Sequence, residues 1–245
     1  MLSSLLNILL PTNCPLCLGT KNTTRSKRAA SDKETGGLCA ACRYGLKKIT
    51  SPICTHCGAP FISEAGADHL CAGCIKTKKI PFIKARSALY YTQSATEGIS
   101  LFKYHSLFAL KPAFEAMLAP VLKEFIDMDL IVPVPLHRRR LRHRGFNQSL
   151  ILARLAAKRL NAELDYTSFK RTKLTKPQTE LKGKDRRQNV RGAFEVKREA
   201  AFKAKKVLLV DDVYTTGATV TECARVLKKA GAEVSVLTLA RTARV

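Results

Sequence analysis

Two adjacent carboxylates, Asp211 and Asp212, follow directly on the apolar run VLLV at residues 207–210. A loop of small and hydroxyl side chains comes next and leads into a helical pattern. Backbone N–H groups at such a turn, together with the helix N-terminus, are suited to bind phosphate. The carboxylates are suited to bind hydroxyl groups or a hydrated cation, so the combination predicts a sugar-phosphate site. The predicted phosphate-binding residues are Thr215, Thr216, Gly217, Ala218 and Thr219.

No GxxxxGK[ST] motif occurs in the chain, which excludes a Walker A loop and ATP hydrolysis by that route.

Eight of the nine cysteines form four Cys-x-x-Cys pairs between residues 14 and 74. Thiolates two residues apart can present both sulfurs to one ion, and two such pairs close a tetrahedron around Zn²⁺. We therefore predict two structural zinc ions, each held by four thiolates that leave no open position for water. Sequential pairing is favoured because ribbons are local units, while cross-braced pairing remains open. The predicted ligands are Cys14, Cys17, Cys39, Cys42, Cys54, Cys57, Cys71 and Cys74.

A disulfide framework is the alternative for these cysteines, and it needs an oxidising compartment. The N-terminal stretch MLSSLLNILLP has neither the basic n-region nor the small-x-small cleavage site of a signal peptide. We therefore expect a cytoplasmic protein in which zinc replaces disulfides, with a short apolar helix over residues 1–12. No apolar run approaches the ~20 residues that span a bilayer, so no membrane span is predicted.

The positive charge of the chain is concentrated in one segment. The chain has 43 Lys and Arg against 19 Asp and Glu, a formal net charge of +24, and residues 137–206 hold 22 basic and 6 acidic residues. This concentration favours a polyanionic partner over a merely solvated basic face. The residues predicted to bind nucleic acid or pyrophosphate are Arg138, Arg139, Arg140, Arg142, Arg144, Lys182, Lys184, Arg186, Arg187 and Arg191.

Three aromatic residues interleave with these basic residues and are candidates for stacking on bases: Phe146, Phe169 and Phe194. A core position is favoured for Phe146 and Phe194.

The elements that must position these groups alternate along the second part of the chain. Apolar runs predict strands at 87–92, 130–135, 207–210 and 233–240. Helical periodicity predicts helices at 106–127, 147–160 and 219–230. The alternation predicts an α/β fold with a parallel sheet, whose ligands bind at the carboxyl ends of the strands. We expect three parts, each of the two larger ones with its own core: a helix at 1–12, a double zinc ribbon at 13–80 and an α/β domain at 85–245.

The stretch VLLVDDVYTTGAT at 207–219 resembles the phosphoribosyl-pyrophosphate (PRPP) motif of type I phosphoribosyltransferases. The resemblance implies that Asp211 and Asp212 contact the ribose hydroxyls, that the loop wraps the 5′-phosphate, and that Mg²⁺ accompanies PRPP. The fifth position of the motif is often an acid that faces the base in purine transferases, and here it is Thr215. Some pyrimidine transferases also lack that acid.

Three further stretches, VPVPLHRRRLRHRGFNQS at 132–149, LFKYH at 101–105 and RRQNVRGAF at 186–194, resemble the ComF (ComFC-type) family. The order of apolar helix, double zinc ribbon and terminal phosphoribosyltransferase domain resembles that family too. The resemblance implies a role in DNA uptake during natural transformation, with single-stranded DNA handled in the cytoplasm. A helicase and a recombination mediator are the implied partners.

Two functions from different classes therefore remain open. The favoured one is a single-stranded-DNA-binding protein whose pocket holds PRPP. The alternative is a PRPP-dependent phosphoribosyltransferase acting on an unidentified nucleophile, with residues 135–147 as the pyrophosphate loop and 170–191 as a lid. A single pyrophosphate needs only a few cations, so the charge of the 137–206 segment favours the first.

Overall fold

The computed structural model describes residues 13–19, 36–63, 65–77, 79–104, 108–175 and 183–243. For residues 103, 104, 183, 184 and 186 it describes the backbone alone. The helix predicted at residues 1–12 and the predicted site residue Lys182 lie outside the described part of the chain.

The described strands are seven in number, and five of them form one sheet. Their bounds are β1 Ala85–Tyr90, β2 Leu130–Pro133, β3 Glu163–Leu164, β4 Phe169–Arg171, β5 Phe194–Val196, β6 Lys206–Tyr214 and β7 Glu233–Arg241. The sheet has the order β1-β7-β6-β2-β3 and every pairing in it is parallel. The remaining two strands, β4 and β5, form a separate antiparallel pair. The predicted parallel sheet is therefore confirmed.

Helices cover both faces of the sheet. Their bounds are α1 Ala40–Gly45, α2 Ala72–Lys76, α3 Gln93–Tyr104, α4 Lys111–Leu122, α5 Arg138–Arg144, α6 Gln148–Leu160, α7 Gly183–Val190 and α8 Ala218–Lys229. Successive side chains of a strand point to opposite faces. Accordingly Leu208 of β6 packs in the apolar cluster with α3, α4 and α6, while its neighbour Leu209 packs in the cluster with α8.

Two segments differ from the sequence prediction in ways that matter for the site. Strand β6 continues to Tyr214, so Asp211 and Asp212 lie within the strand rather than after it. The segment 135–147, predicted as a loop, contains the seven-residue helix α5. The side chain of His137 accepts a hydrogen bond from the Arg139 N–H at the start of α5, and Gly145 ends it with a left-handed φ of 82°.

The first cysteine-rich unit shares its core with the α/β domain. Cys14, Leu16 and Leu38 are buried in the same apolar cluster as α3 and α4. The chain at residues 47–49 also bonds along the edge of β1, with the Tyr90 N–H donating to the Lys47 carbonyl oxygen at 2.9 Å. The expectation of a separate core is therefore wrong for this unit, because a ribbon this small buries its apolar side chains against the neighbouring helices.

The second unit has a small cluster of its own, made of Cys54, Cys57, Ala59 and Cys71. Among the helices in the described ranges, none is long and apolar enough to cross a membrane.

Candidate functional site

The acidic pair lies at the carboxyl edge of the parallel sheet, as predicted. Asp211 and Asp212 are both half-buried. The hydroxyl of Ser149 donates a hydrogen bond to Asp211 Oδ1 at 2.8 Å, and the backbone N–H of Asp212 donates to the same oxygen at 3.0 Å. The Asp211 carboxylate is therefore held in one orientation, which is the property that a ligand-binding carboxylate needs.

Ser149 is itself positioned by the start of α6. The side chain of Asn147 caps this helix by accepting a hydrogen bond from the Ser149 N–H at 3.1 Å. The same side chain donates to the carbonyl oxygen of Val134 at 3.0 Å. The end of β2, the start of α6 and the acidic pair of β6 therefore form one hydrogen-bonded unit.

The loop after β6 turns at Gly217, which has a φ of 77°. A Cβ atom at this position would collide with the phenol ring of Tyr214, so both the conformation and the space require glycine. Helix α8 begins at Ala218 directly after the turn. Helix α8 has twelve residues, and the side chains beside its N-terminus are small. Its N-terminal N–H groups are therefore suited to bind an anion.

A buried cation, Arg171, lies close enough to the acidic pair to interact with it. Its guanidinium lies over the ring of Phe194 at 5.3 Å and donates to the hydroxyl of Thr175. Burial and the neighbouring Arg140 lower the pKa of Arg171, and the Asp211 carboxylate partly offsets that effect. Arg171, on strand β4, is therefore a buried positive charge that interacts electrostatically with the Asp211 carboxylate.

The eight paired cysteines form two groups in sequential order: Cys14, Cys17, Cys39 and Cys42, then Cys54, Cys57, Cys71 and Cys74. Within each group the ligand atoms all lie within 4.8 Å of one another. The sulfurs of Cys17 and Cys39 are 3.8 Å apart, and those of Cys57 and Cys71 are 3.7 Å apart.

These spacings fit zinc. Four sulfurs at about 2.3 Å from a tetrahedral Zn²⁺ lie about 3.8 Å from one another. Backbone N–H groups also point at the sulfurs: those of Cys57 and Cys71 donate to Cys54 Sγ at 3.4 and 3.3 Å. The donor set thus fits two structural zinc ions and favours the sequential pairing over the cross-braced one.

One thiol in each group is predisposed to ionise. Burial opposes ionisation of Cys14 and Cys54, but backbone N–H donors outweigh it and lower their pKa values to about 7 and about 6. Burial and the neighbouring thiols raise the pKa values of Cys42 and Cys74. Zinc binding must displace the protons that these last thiols hold.

Five of the predicted basic residues lie on the single helix α5. Arg138, Arg139 and Arg142 are exposed. Arg140 donates to the Thr175 carbonyl oxygen at 2.5 Å, and Arg144 donates to Gln148 Oε1 at 2.8 Å. Helix α5 therefore presents an exposed arginine face while two of its arginines hold neighbouring segments.

The remaining described basic candidates belong to α7 and the residue after it. Lys184, Arg186 and Arg187 lie on α7, and Arg191 follows its end. Arg187 and Arg191 are exposed.

Residues 5–75 match the double zinc ribbon domain, and residues 147–244 match the phosphoribosyl transferase domain. Competence protein F of Haemophilus influenzae is 32% identical over 204 residues, which cover 80% of this chain and 86% of that protein. The chain belongs to the ComF family. Competence protein ComFC of Bacillus subtilis is 31% identical over 218 residues, covering 84% of each chain. DNA utilization protein YhgH of Escherichia coli K12 is 31% identical over 216 residues, covering 84% of this chain and 91% of the relative.

Solved structures similar to this ComF-family chain include a purine phosphoribosyltransferase from Pyrococcus horikoshii. It is 19% identical with a TM-score of 0.33, and the match covers 54% of this chain and 82% of that one. The allosteric regulatory enzyme of purine biosynthesis is 21% identical with a TM-score of 0.34, over 49% of this chain and 24% of that one.

Two residues of the candidate site in this ComF-family protein were not predicted from the sequence. Ser149 is the last residue of the stretch 132–149, but no pattern indicates that it contacts Asp211, 62 residues away. Arg171 lies between Lys170 and Lys173, which are both exposed, so nothing in the sequence pattern indicated that its side chain is buried. The stacking candidate Phe169 is buried against Phe194, with ring centroids 5.7 Å apart, so its faces are in the core.

Proposed function

We propose that this ComF-family protein handles single-stranded DNA during DNA uptake and holds PRPP, with Mg²⁺, at the carboxyl edge of its sheet. One observation carries the proposal: two hydrogen-bonded strands bring two kinds of group together. Strand β6 contains the acidic pair and leads into the loop that turns at Gly217, and strand β2 leads into the arginine-rich helix α5. Two of the relatives reported above are competence proteins by name, which supports the DNA-uptake role.

In the proposed PRPP complex, Asp211 and Asp212 contact the ribose hydroxyls. The loop at 215–219 and the N-terminus of α8 hold the 5′-phosphate, which the positive φ of Gly217 supports. Mg²⁺ bound with PRPP would neutralise part of the pyrophosphate charge, and the carboxylate oxygens of this edge are the ligand type that it prefers.

Calorimetric titration with PRPP and Mg²⁺ tests this assignment. The double variant Asp211→Asn/Asp212→Asn keeps the shape of both side chains and is expected to lose binding. The matched control is Glu115→Gln/Asp127→Asn, which removes the same charge from two exposed positions and is expected to bind as the parent does. Absent binding by the parent, or equal binding by the first variant, contradicts the PRPP assignment.

Single-stranded DNA is proposed to lie along the basic surface that residues 137–206 contribute. Its contacts are to phosphates, so affinity is expected to fall with salt at a log–log slope of about −0.7 per phosphate neutralised. Arg186→Ala/Arg187→Ala/Arg191→Ala is expected to flatten that slope and to weaken every sequence alike, with unchanged zinc content. Fluorescence anisotropy at several salt concentrations measures both quantities.

The control for that variant removes three lysines outside the basic segment: Lys47→Ala/Lys76→Ala/Lys123→Ala, all at exposed positions. Equal effects of the two triple variants would indicate a general charge effect. Absent or salt-insensitive binding by the parent would contradict the nucleic-acid proposal.

The alternative function is a PRPP-dependent phosphoribosyltransferase. It is favoured by one observation: the segment 135–147 follows β2, the strand hydrogen-bonded to the one that carries the acidic pair, where a pyrophosphate loop would be needed. Pyrophosphate release from PRPP in the presence of nucleobases and amines tests it. Turnover that depends on an added nucleophile would establish the enzyme, and its absence with intact PRPP binding favours the DNA-handling role.

We further propose that the protein acts in the cytoplasm beside a helicase and a recombination mediator, as the family resemblance implies. The two four-cysteine groups have sulfur spacings that fit zinc, which supports a reducing compartment, because disulfides would compete with zinc in an oxidising one. Fractionation of cells that express the tagged chain, followed by cross-linking, tests both statements.

A further inference from the structure

A cavity of 1120 Å³ opens beside the acidic pair, and part of its wall is the segment 135–147 that the alternative function assigns to pyrophosphate. It lies between the end of β2, helices α5 and α6, and the strand β4. Neither the acidic pair nor the loop at 215–219 is among the residues that line it. Because β2 is hydrogen-bonded to β6, the cavity and the acidic pair lie at neighbouring strands of one sheet. We call this cavity the basic–aromatic groove.

The charge of the groove is of one sign. Six of the twenty residues that line it are Lys or Arg, and none of the twenty is Asp or Glu. These cations come from separate parts of the chain: Lys111, Arg138, Arg154, Lys170, Arg171 and Lys197. Five of them are exposed, and Arg171 is the buried one. Cations from five elements or loops that converge on one concave surface are electrostatically complementary to a polyanion.

Aromatic rings line the same groove and are only partly covered. Phe108 is 50% exposed and Tyr166 is 54% exposed. The covered side of Phe108 packs against Phe146 and against the core ring of Phe102, with centroid distances of 5.2 and 6.2 Å. The exposed halves of Phe108 and Tyr166 leave apolar ring surface open to solvent on a highly charged surface, which suits a ligand with flat apolar faces.

The combination selects one class of ligand. A free nucleotide needs few cations, and a duplex keeps its bases stacked on each other inside the helix. A single-stranded polynucleotide offers both a row of phosphates and unstacked bases, which are bound by basic grooves with aromatic platforms. An apolar or acidic peptide would match only one half of the lining.

We propose that the basic–aromatic groove binds single-stranded polynucleotide with consecutive bases stacked on Phe108 and Tyr166. The phosphates pair with Arg138, Arg154, Lys170 and Lys197 at the rim. The inference rests on the proposed single-strand binding and adds its location, together with a contribution from the bases that phosphate contacts alone do not give.

The test compares a deoxythymidine oligomer with an abasic oligomer of equal length and charge, by anisotropy at several salt concentrations. The parent protein is expected to bind the oligomer that has bases about tenfold more tightly. Phe108→Ala and Tyr166→Ala are each expected to reduce that preference while leaving the affinity for the abasic oligomer unchanged. The control is Tyr44→Ala, which removes an 86% exposed ring from the first cysteine-rich unit.

Zinc content and thermal melting of every variant establish that it folds, and Tyr166 provides a second position if Phe108→Ala does not. Quenching of a 2-aminopurine placed in the oligomer gives a direct signal of stacking. A uridine oligomer in a parallel arm distinguishes RNA from DNA as the source of the strand.

The outcomes separate this inference from the proposal on which it rests. Salt-dependent binding with equal affinity for the two oligomers overturns base stacking and leaves the phosphate surface standing. Binding of neither oligomer contradicts the single-strand proposal itself. Unchanged preference in both groove variants overturns the location.

Discussion

The guanidinium of Arg241 donates a hydrogen bond to the backbone carbonyl oxygen of Cys57, so the last strand of the sheet is joined to a predicted zinc ligand. The same guanidinium lies over the ring of Tyr214, with 4.5 Å from Cζ to the ring centroid. Tyr214 in turn packs beneath the turn at Gly217. Contiguous contacts therefore run from the second four-cysteine group to the loop at 215–219, which is proposed to bind phosphate.

Arg241→Met is expected to speed zinc release from the second four-cysteine group while changing the free energy of unfolding only slightly. Arg241 is fully buried, and its Nε and Nη2 nitrogens have no hydrogen-bond partner among the described atoms. Methionine therefore removes the cost of these unpaired donors, while the Cys57 carbonyl loses its donor. These effects oppose each other, and the free energy of unfolding is expected to change by only about 1 kcal/mol. Zinc transfer to a chromophoric chelator is expected to become faster in one of its two phases.

The exposed Arg198→Met, which removes a guanidinium bonded to Ser168, is the control and is expected to leave both phases unchanged. Identical zinc-release kinetics for Arg241→Met and the parent protein would show that zinc binding by the second four-cysteine group does not depend on this contact.

Elemental analysis of the purified chain is expected to give two zinc ions. Cys14→Ser should lower the free energy of unfolding of the whole chain, because Cys14 is buried in the cluster that α3 and α4 share. Cys74→Ser should act mainly on the second unit, whose small cluster is its own. A ratio near one or zero, or equal losses for the two variants in urea unfolding, would contradict this division.

The sheet could be predicted because its strands are apolar runs separated by helical patterns, and β6 and β7 need little more than that alternation to pair in parallel. Helix α5 could not, since its seven residues have no apolar periodicity and its ends depend on a His137 cap and a left-handed Gly145. Both are decided by local geometry that composition does not reveal.

The candidate site divides in the same way. The acidic pair and the loop at 215–219 are contiguous in sequence, so a motif is enough to find them. The Ser149–Asp211 hydrogen bond and the basic–aromatic groove join residues that lie far apart along the chain. Such contacts follow from the crossover of the parallel sheet and are visible only in three dimensions.

Acid is expected to weaken the chain through Glu222. Hydrogen bonds from Arg225 lower the pKa of this carboxyl below its ordinary value of 4.5, although burial opposes them, and the Gly192 N–H donates to it at 2.8 Å. A depressed pKa means that the ionised form stabilises the fold above pH 4.5, and that this contribution is lost as the pH falls through the folded-state pKa.

Glu222→Gln is therefore expected to lower the free energy of unfolding by about 1–2 kcal/mol at pH 7. The difference from the parent should shrink as the pH falls below the ordinary value of 4.5. Urea unfolding across this range measures it, and the exposed Glu233→Gln is the control. A gap that stays constant with pH would contradict the role of the charge.

Ser149→Ala is expected to weaken PRPP binding by about threefold to tenfold, the value of one hydrogen bond that orients the Asp211 carboxylate. The zinc content and the salt dependence of single-strand binding should not change, because Ser149 is 4% exposed and offers nothing to a strand on the surface. Ser168→Ala, at a serine that is 1% exposed and hydrogen-bonded to Arg198, controls for the loss of a buried hydroxyl. Calorimetry with PRPP and Mg²⁺ compares the parent with both serine variants. Equal losses of affinity in the two variants would indicate a general effect on stability. No loss in either variant would show that Asp211 does not need Ser149 to bind its ligand.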